Sequence, residues 1–169
     1  MIVEQNLHFL RQGLELLSSL DADLYAARDG GRSPIGAHVR HCVDYYRCLL
    51  RGLDSGRVDY DARERDPALE SDVSAAVRAL REIADRVSAI PPGDYARTLE
   101  VKVDTTAESP FAWNLSTLGR ELRFLVSHTV HHYALIGMLL RERGIDPGGD
   151  FGVAPSTRVY RSSVGAGAG

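Results

Sequence analysis

Three histidines, His128, His131 and His132, fall within five residues of one strongly helical stretch, Glu121–Ile136. At about 100° per residue, His128 and His132 lie roughly 40° apart on one helix face, so both imidazoles can reach a single metal ion. The apolar stripe of this helix runs through Leu118, Leu122, Leu125, Thr129, Ile136 and Leu140. The pair sits at the edge of that stripe, whereas His131 points well away from it and is expected in solvent. Glu121 lies two turns before His128 on nearly the same line. A carboxylate on the buried side needs a reason, namely a ligating histidine that passes it its other N–H, a buried ion pair or a wet bundle mouth. Glu121 is therefore the candidate catalytic carboxylate.

A third imidazole has to come from another element. The segment Ser33-Pro34-Ile-Gly-Ala-His38-Val-Arg-His41 offers two. Ile35, Cys42, Tyr46, Leu49 and Leu53 form the apolar face of the helix that follows. Periodicity puts His38 nearer the centre of that face and His41 at its margin. An ion shared between helices can sit at a margin, so both remain open. Asp44 reads as a surface charge. Tyr45 and Tyr133 read first as core aromatics and second as side chains at the mouth of a site.

The elements that must position these groups are four helices of bundle length. Val3, Leu7, Leu10, Leu14 and Leu17 alternate at four and three, which predicts an amphipathic helix over about 2–20 with His8 off its seam and exposed. Asp29-Gly-Gly signals a loop, and Ser33-Pro34 then starts the second helix, with Ser as N-cap and Pro at the first helical position. Residues 54–68 are polar and form a crossover connection, long for a helical hairpin, whose charges read first as solvated surface and whose arginines read second as groups at a cleft. Leu69, Val73, Ala76, Leu80, Ala84, Val87 and Ile90 predict a third helix over about 69–90, ended by Pro91-Pro92-Gly93. Thr98–Asp104 alternates apolar and polar residues and, with Phe111–Leu115, predicts a small β-hairpin across a turn containing Pro110. Ser116 or Thr117 caps the fourth helix, which ends near Gly144. The segment Asp150–Arg161 is too specific for a linker and is expected to pack on the bundle. The expected organisation is one all-α domain over 1–160, a four-helix bundle with a long crossover loop and a β-hairpin insert before helix four. A disordered Gly/Ala tail is expected over 161–169.

Composition narrows the function classes. The 169 residues suffice for a single domain with a proper core. A formal net charge of −3 makes no case for nucleic acid or an anionic membrane. No apolar run approaches the roughly 20 residues that span a bilayer. The first residues, Met1-Ile-Val-Glu-Gln, do not read as a signal peptide, so a cytoplasmic location is the default. Cys42 and Cys48 are too few and too oddly spaced for a zinc knuckle or redox pair, and read as reduced structural thiols. Met138, Phe124 and Leu135 lie off the main stripe of the fourth helix, which suggests a homodimer surface.

Taken together, the four helices, the histidines early in the second and His128-x3-His132 in the fourth resemble the DinB/YfiT-like family of metalloenzymes. The likeness covers about residues 1–145 and rests on the two histidine segments. It implies a four-helix bundle with an open three-histidine site. His128 and His132 match its His-x3-His element, and the position of the third ligand matches His41 rather than His38. The chain also resembles the DinB-like domain of the iron-dependent sulfoxide synthases of ergothioneine biosynthesis. Those enzymes commonly carry an acidic residue two after the last ligand, where this chain has Ala134, and a large second domain; their specific chemistry is not expected here. Val58–Arg63 and Phe151–Thr157 look like segments of a bacterial DinB-like subgroup, a likeness that supplies no substrate.

The resemblance implies metal-activated nucleophile chemistry. Three imidazoles leave a divalent ion such as Zn, Ni or Fe with a position for water or a thiolate, either of which becomes a better nucleophile there. Relatives in the wider family act as S-transferases with bacillithiol or mycothiol, and others resemble hydrolases or isomerases. The expected partner is a small molecule, including a low-molecular-weight thiol. The competing expectations are a non-catalytic, metal-stabilised four-helix binding or stress-response protein, and a metal-free small-ligand binder.

Overall fold

A computed structural model describes residues 1–28, 31–102 and 113–165. Among them, four long helices form the bundle: α1 (Ile2–Ser19), α3 (Ile35–Gly52), α5 (Val73–Ser88) and α6 (Leu118–Glu142). Shorter helices α2 (Ala22–Ala26), α4 (Ala68–Ser71) and α7 (Pro155–Gly165) and a 3-10 turn over Pro92–Ala96 complete the helical part. Phe9, Leu10, Leu17, Leu49, Leu80, Ile83, Leu122, Leu125 and Ile136 are buried where the long helices meet. Burying each such side chain is worth roughly 1.5–3 kcal/mol. Asn6 is the one amide inside this apolar layer among the described buried residues. Its Nδ2 donates to the Ile2 and Leu122 carbonyls and its Oδ1 accepts from the Tyr46 hydroxyl at 2.8 Å, so it ties α1 to both helices that carry the histidines.

Two helix starts differ from expectation. Ser33 makes no capping bond and Pro34 is itself the N-cap, with an extended ψ of 163°, so α3 begins at Ile35. The Pro34 carbonyl accepts the first helical N–H bonds, from Ala37 and His38. Gly36 in the first turn lies against the Glu70 backbone, where a Cβ would collide. The third helix is not continuous over 69–90. It breaks at Asp72 (φ −110°, ψ 103°), whose carboxylate caps Ser74 N–H at 2.8 Å. Leu69 faces inward on one side of the break and Ala76 and Leu80 on the other, which is why an unbroken period ran across it. The fourth helix starts as expected, with Thr117 Oγ1 accepting from Arg120 N–H.

The hairpin is present as β2 (Thr98–Lys102) and β3 (Trp113–Thr117), paired antiparallel from Thr98↔Thr117 to Lys102↔Trp113. The turn expected around Pro110 lies outside the described residues. A third strand was not anticipated. β1 (Arg57–Asp59), from the crossover connection, pairs parallel with β2 through Arg57↔Glu100 and Asp59↔Lys102. Three residues with only Val58 apolar carry no readable alternation. The connection is thus held down on the bundle, with Val58 and Tyr60 both fully buried.

At the other end, Gly144 with φ +74° stops α6. The following segment packs back, as expected. Phe151 stacks on Tyr133 with centroids 4.9 Å apart, and Arg158 of α7 pairs with Asp150. Arg158 also reaches His8 Nε2 at 2.8 Å, so His8 is half-buried rather than exposed. α7 carries the chain through Gly165, and residues 166–169 lie outside the described ones. No helix of the described residues is long and apolar enough to cross a membrane.

Candidate metal centre

The middle of α6 supplies His128 and His132, one turn apart, and the second turn of α3 supplies His41. One ligating atom from each of these three residues lies within 4.8 Å of the other two. The rings form a near-equilateral triangle, with centroids 4.9 Å apart for His41–His128, 4.6 Å for His41–His132 and 4.8 Å for His128–His132. The margin of the α3 face is therefore the part that meets α6, and His41 rather than His38 enters the cluster. His38 stands one turn earlier and contacts only one corner, its Nδ1 lying 3.0 Å from His132 Nδ1. His131 is exposed, its ring edge-on to His132.

Electrostatics favours the neutral, ligating form of all three rings. Burial, then the neighbouring His128 and the Arg63 and Arg40 guanidiniums, lowers His41 to about 4. Burial, then His131 and Arg63, lowers His128 to about 4. Burial and the four surrounding imidazoles lower His132 to about 3. At neutral pH each ring therefore carries one lone pair that can be given to a cation. His128 Nε2 is buried and has no hydrogen-bond partner. An orphaned ring nitrogen on one of three clustered, uncharged imidazoles is the polar defect that a bound cation would repair, so the donor set fits a metal ion.

Aromatic rings form the wall around this triangle. Tyr45 stacks on His128 at 4.1 Å and Tyr60 stacks on Tyr45 at 5.2 Å. Phe124, one turn before His128, approaches that ring at 5.5 Å. Arg63 donates to the Tyr45 hydroxyl at 3.0 Å and lies 5.3 Å from the Tyr45 ring centroid. Of the two tyrosines noted in the sequence, Tyr45 belongs to the site. Tyr133 is core, buried against Phe151 and Gly13. Sequence reasoning missed Tyr60 and Phe124 as site residues. Phe124 had a signal in its spacing, four before His128. Tyr60 had none, because only the pairing of β1 buries it. Among the crossover arginines, Arg63 is the one that stands at the cleft.

The two carboxylates stand apart from the triangle. Glu121 is fully buried, but it accepts from Tyr60 Oη at 3.1 Å, from Arg120 at 2.9 Å and from the Ser116 hydroxyl. Its link to the histidines runs through the stacked rings of Tyr60 and Tyr45. Asp44, expected at the surface, is 2% exposed. It lies 3.8 Å from Arg40 Nε, and burial raises its carboxyl above the usual range. α4 and the crossover connection cover this side of α3, which the pattern of α3 alone does not reveal. Cys42 and Cys48 are free and buried, and burial pushes the Cys42 thiol up to about 12, so it does not act as a nucleophile at neutral pH.

The sequence profile of the DinB superfamily matches residues 7–136, which include most of α1, all of α3 and α5, the three strands and the part of α6 that bears the histidines. The chain belongs to the DinB superfamily. It is also similar to FK506-binding protein 5 of Rhizopus delemar, 30% identical over 102 residues. That match covers 59% of this chain but 26% of the relative, so it concerns one segment of a much longer protein.

Proposed function

We propose that this DinB protein holds one divalent ion between His41, His128 and His132 and uses it to activate a thiol or water, as a thiol S-transferase or a hydrolase. The observation that carries this is the unpartnered, buried Nε2 of His128 at the edge of a triangle of neutral imidazoles. An ion bound there supplies Lewis acidity, lowering the pKa of a water or thiol in its remaining position. Imidazole donors suit Zn, Ni and Fe alike.

The chain's own residues have distinct roles. Tyr45, Tyr60 and Phe124 wall the histidines on one side and keep bulk water from that flank. Arg63 adds a fixed positive charge beside His41 and His128, which favours an anionic nucleophile or a substrate bearing a carboxylate. Glu121, the candidate catalytic carboxylate of the sequence, is a positioning residue in this reading, holding Tyr60 by its hydroxyl. The partner is a small molecule, a low-molecular-weight thiol among the candidates; of the residues expected at a homodimer surface, Met138 is exposed and available to a second copy, whereas Phe124 is used in the wall of the site.

The same placement of Glu121 favours a second reading. With its carboxylate taken up by Tyr60, Ser116 and Arg120, Glu121 does not serve the triangle as a general base. The ion would then only rigidify a binding or stress-response protein. Elemental analysis of protein from cells grown without chelators tests the metal, and His41→Ala, His128→Ala and His132→Ala should each abolish binding. Turnover of a low-molecular-weight thiol with an electrophilic acceptor by the wild type, lost in these variants, supports the enzyme. A bound ion with no turnover for any thiol or ester supports the second reading, and absence of bound metal overturns both.

A further inference from the structure

His38 is left over once the triangle is assigned, yet its Nδ1 makes the only ring-nitrogen hydrogen bond that the structure gives to any of the three ligands among the described residues. A neutral imidazole carries one N–H, so within the 3.0 Å Nδ1–Nδ1 contact one ring donates and the other accepts. Two arrangements satisfy it. If His38 donates, the proton of His132 sits on Nε2, and neither nitrogen of that ring has a lone pair left to give. If His132 donates, its Nε2 lone pair is free for the ion and His38 carries its own proton on Nε2. Only the second arrangement is compatible with both the contact and ligation by His132.

We infer that His38 is the positioning residue of the metal site, accepting Nδ1–H of His132 and so presenting His132 Nε2 to the ion. The inference rests on the metal reading above. Ligating histidines are normally oriented by a carboxylate, a carbonyl or water. Here Glu121 is occupied elsewhere, and His132 receives an imidazole instead. The geometry follows from the helices. His38 stands one turn before His41 on α3, so one helix provides both a ligand and the group that orients a ligand on α6. It also answers which of the two α3 histidines belongs to the site: both do, in different roles.

The test uses the full chain, stripped of metal and titrated with zinc against a chromophoric chelator at pH 7.5. His38→Ala should weaken zinc roughly 10–100-fold. His38→Gln, whose side-chain carbonyl can accept the same N–H, should recover most of that loss. In uniformly 15N-labelled wild type, imidazole correlation spectra of the zinc form should show His132 protonated at Nδ1 and bonded to zinc through Nε2. Zinc affinity in His38→Ala within twofold of wild type overturns the inference while leaving the metal reading intact. So does a spectrum in which His132 Nδ1 holds the ion. Wild type that takes up no zinc, nickel or iron overturns the metal reading and this inference with it. Should His38→Ala fail to fold, the wild-type spectrum and His38→Gln still decide.

Discussion

His128 is caught between two demands. Its ring is packed by Tyr45 at 4.1 Å and Phe124 at 5.5 Å, while its Nε2 is buried without a partner. An unsatisfied buried polar group costs roughly 1–3 kcal/mol, and burial of an aromatic ring returns a comparable amount. The two can be separated by His128→Phe, which keeps the stacking and deletes the orphaned nitrogen. The metal-free variant should melt at the same temperature as the metal-free wild type or a few degrees higher, yet gain nothing from added zinc. A large loss of stability in the metal-free variant would mean that Nε2 has a protein partner after all. Asp44 presents a milder form of the same problem: its carboxylate is buried, and Arg40, the half-buried guanidinium 3.8 Å away, is shared with Glu70.

At the scale of elements, the site depends on how α3 and the crossover connection are pinned. α4 and α5 meet at Asp72, which holds the break with one side-chain cap. α4 in turn contacts the first turn of α3 at Gly36 and receives the Tyr25 hydroxyl on the Leu69 carbonyl. Asp72→Ala removes the cap and should cost about 1 kcal/mol. For a chain of this size that corresponds to a fall of about 2–4 °C in thermal midpoint, read by circular dichroism. Zinc affinity should stay within a few-fold, because His128 and His132 lie on α6 and His41 lies beyond the α4 contact. β1 acts on the wall of the site instead. Its three-residue pairing with β2 turns Tyr60 inward, and that one ring closes the wall beside Tyr45 and reaches Glu121.

The whole molecule couples metal, protons and folding. An ion that binds only the folded chain at 100 times its Kd adds about 2.7 kcal/mol. Chelation should therefore lower the thermal midpoint by roughly 5–10 °C, and re-addition of the metal should restore it. A midpoint indifferent to chelator would argue against binding between α3 and α6. In the metal-free protein the three histidines lie at about 4, 4 and 3, below their ordinary value of 6.5. Between these limits the unfolded chain binds more protons than the folded one, so stability falls as pH drops from about 6.5 towards 4. Urea unfolding across that range should show a steadily decreasing midpoint, a slope that His41→Ala, His128→Ala or His132→Ala each makes shallower. A bound ion keeps the folded rings unprotonated to lower pH, so in the metal-loaded protein the same loss should continue towards pH 4 with a slope at least as steep.

The bundle was legible because helical burial follows a period of 3.6. Val3 to Leu17, Leu69 to Val87 and Leu118 to Leu140 each announce one buried face, and each forms the expected helix, with one break at Asp72. The pair His128 and His132 was legible for the same reason, since their relation is internal to one helix. What depends on two elements at once was not. Periodicity along α3 favoured His38, because a wheel gives the direction of a side chain but not the neighbour waiting there. Only the crossing of α3 and α6 brings the margin, and with it His41, to the ion's position. Asp44 read as a surface charge until α4 and the crossover covered it, and Tyr60 read as part of a polar loop until β1 joined the sheet. By itself the chain determines four amphipathic helices and two imidazoles poised one turn apart. The tertiary structure alone decides which third imidazole joins them, which ring orients them and which carboxylates stay outside, because those choices are distances between helices and no single helix contains them.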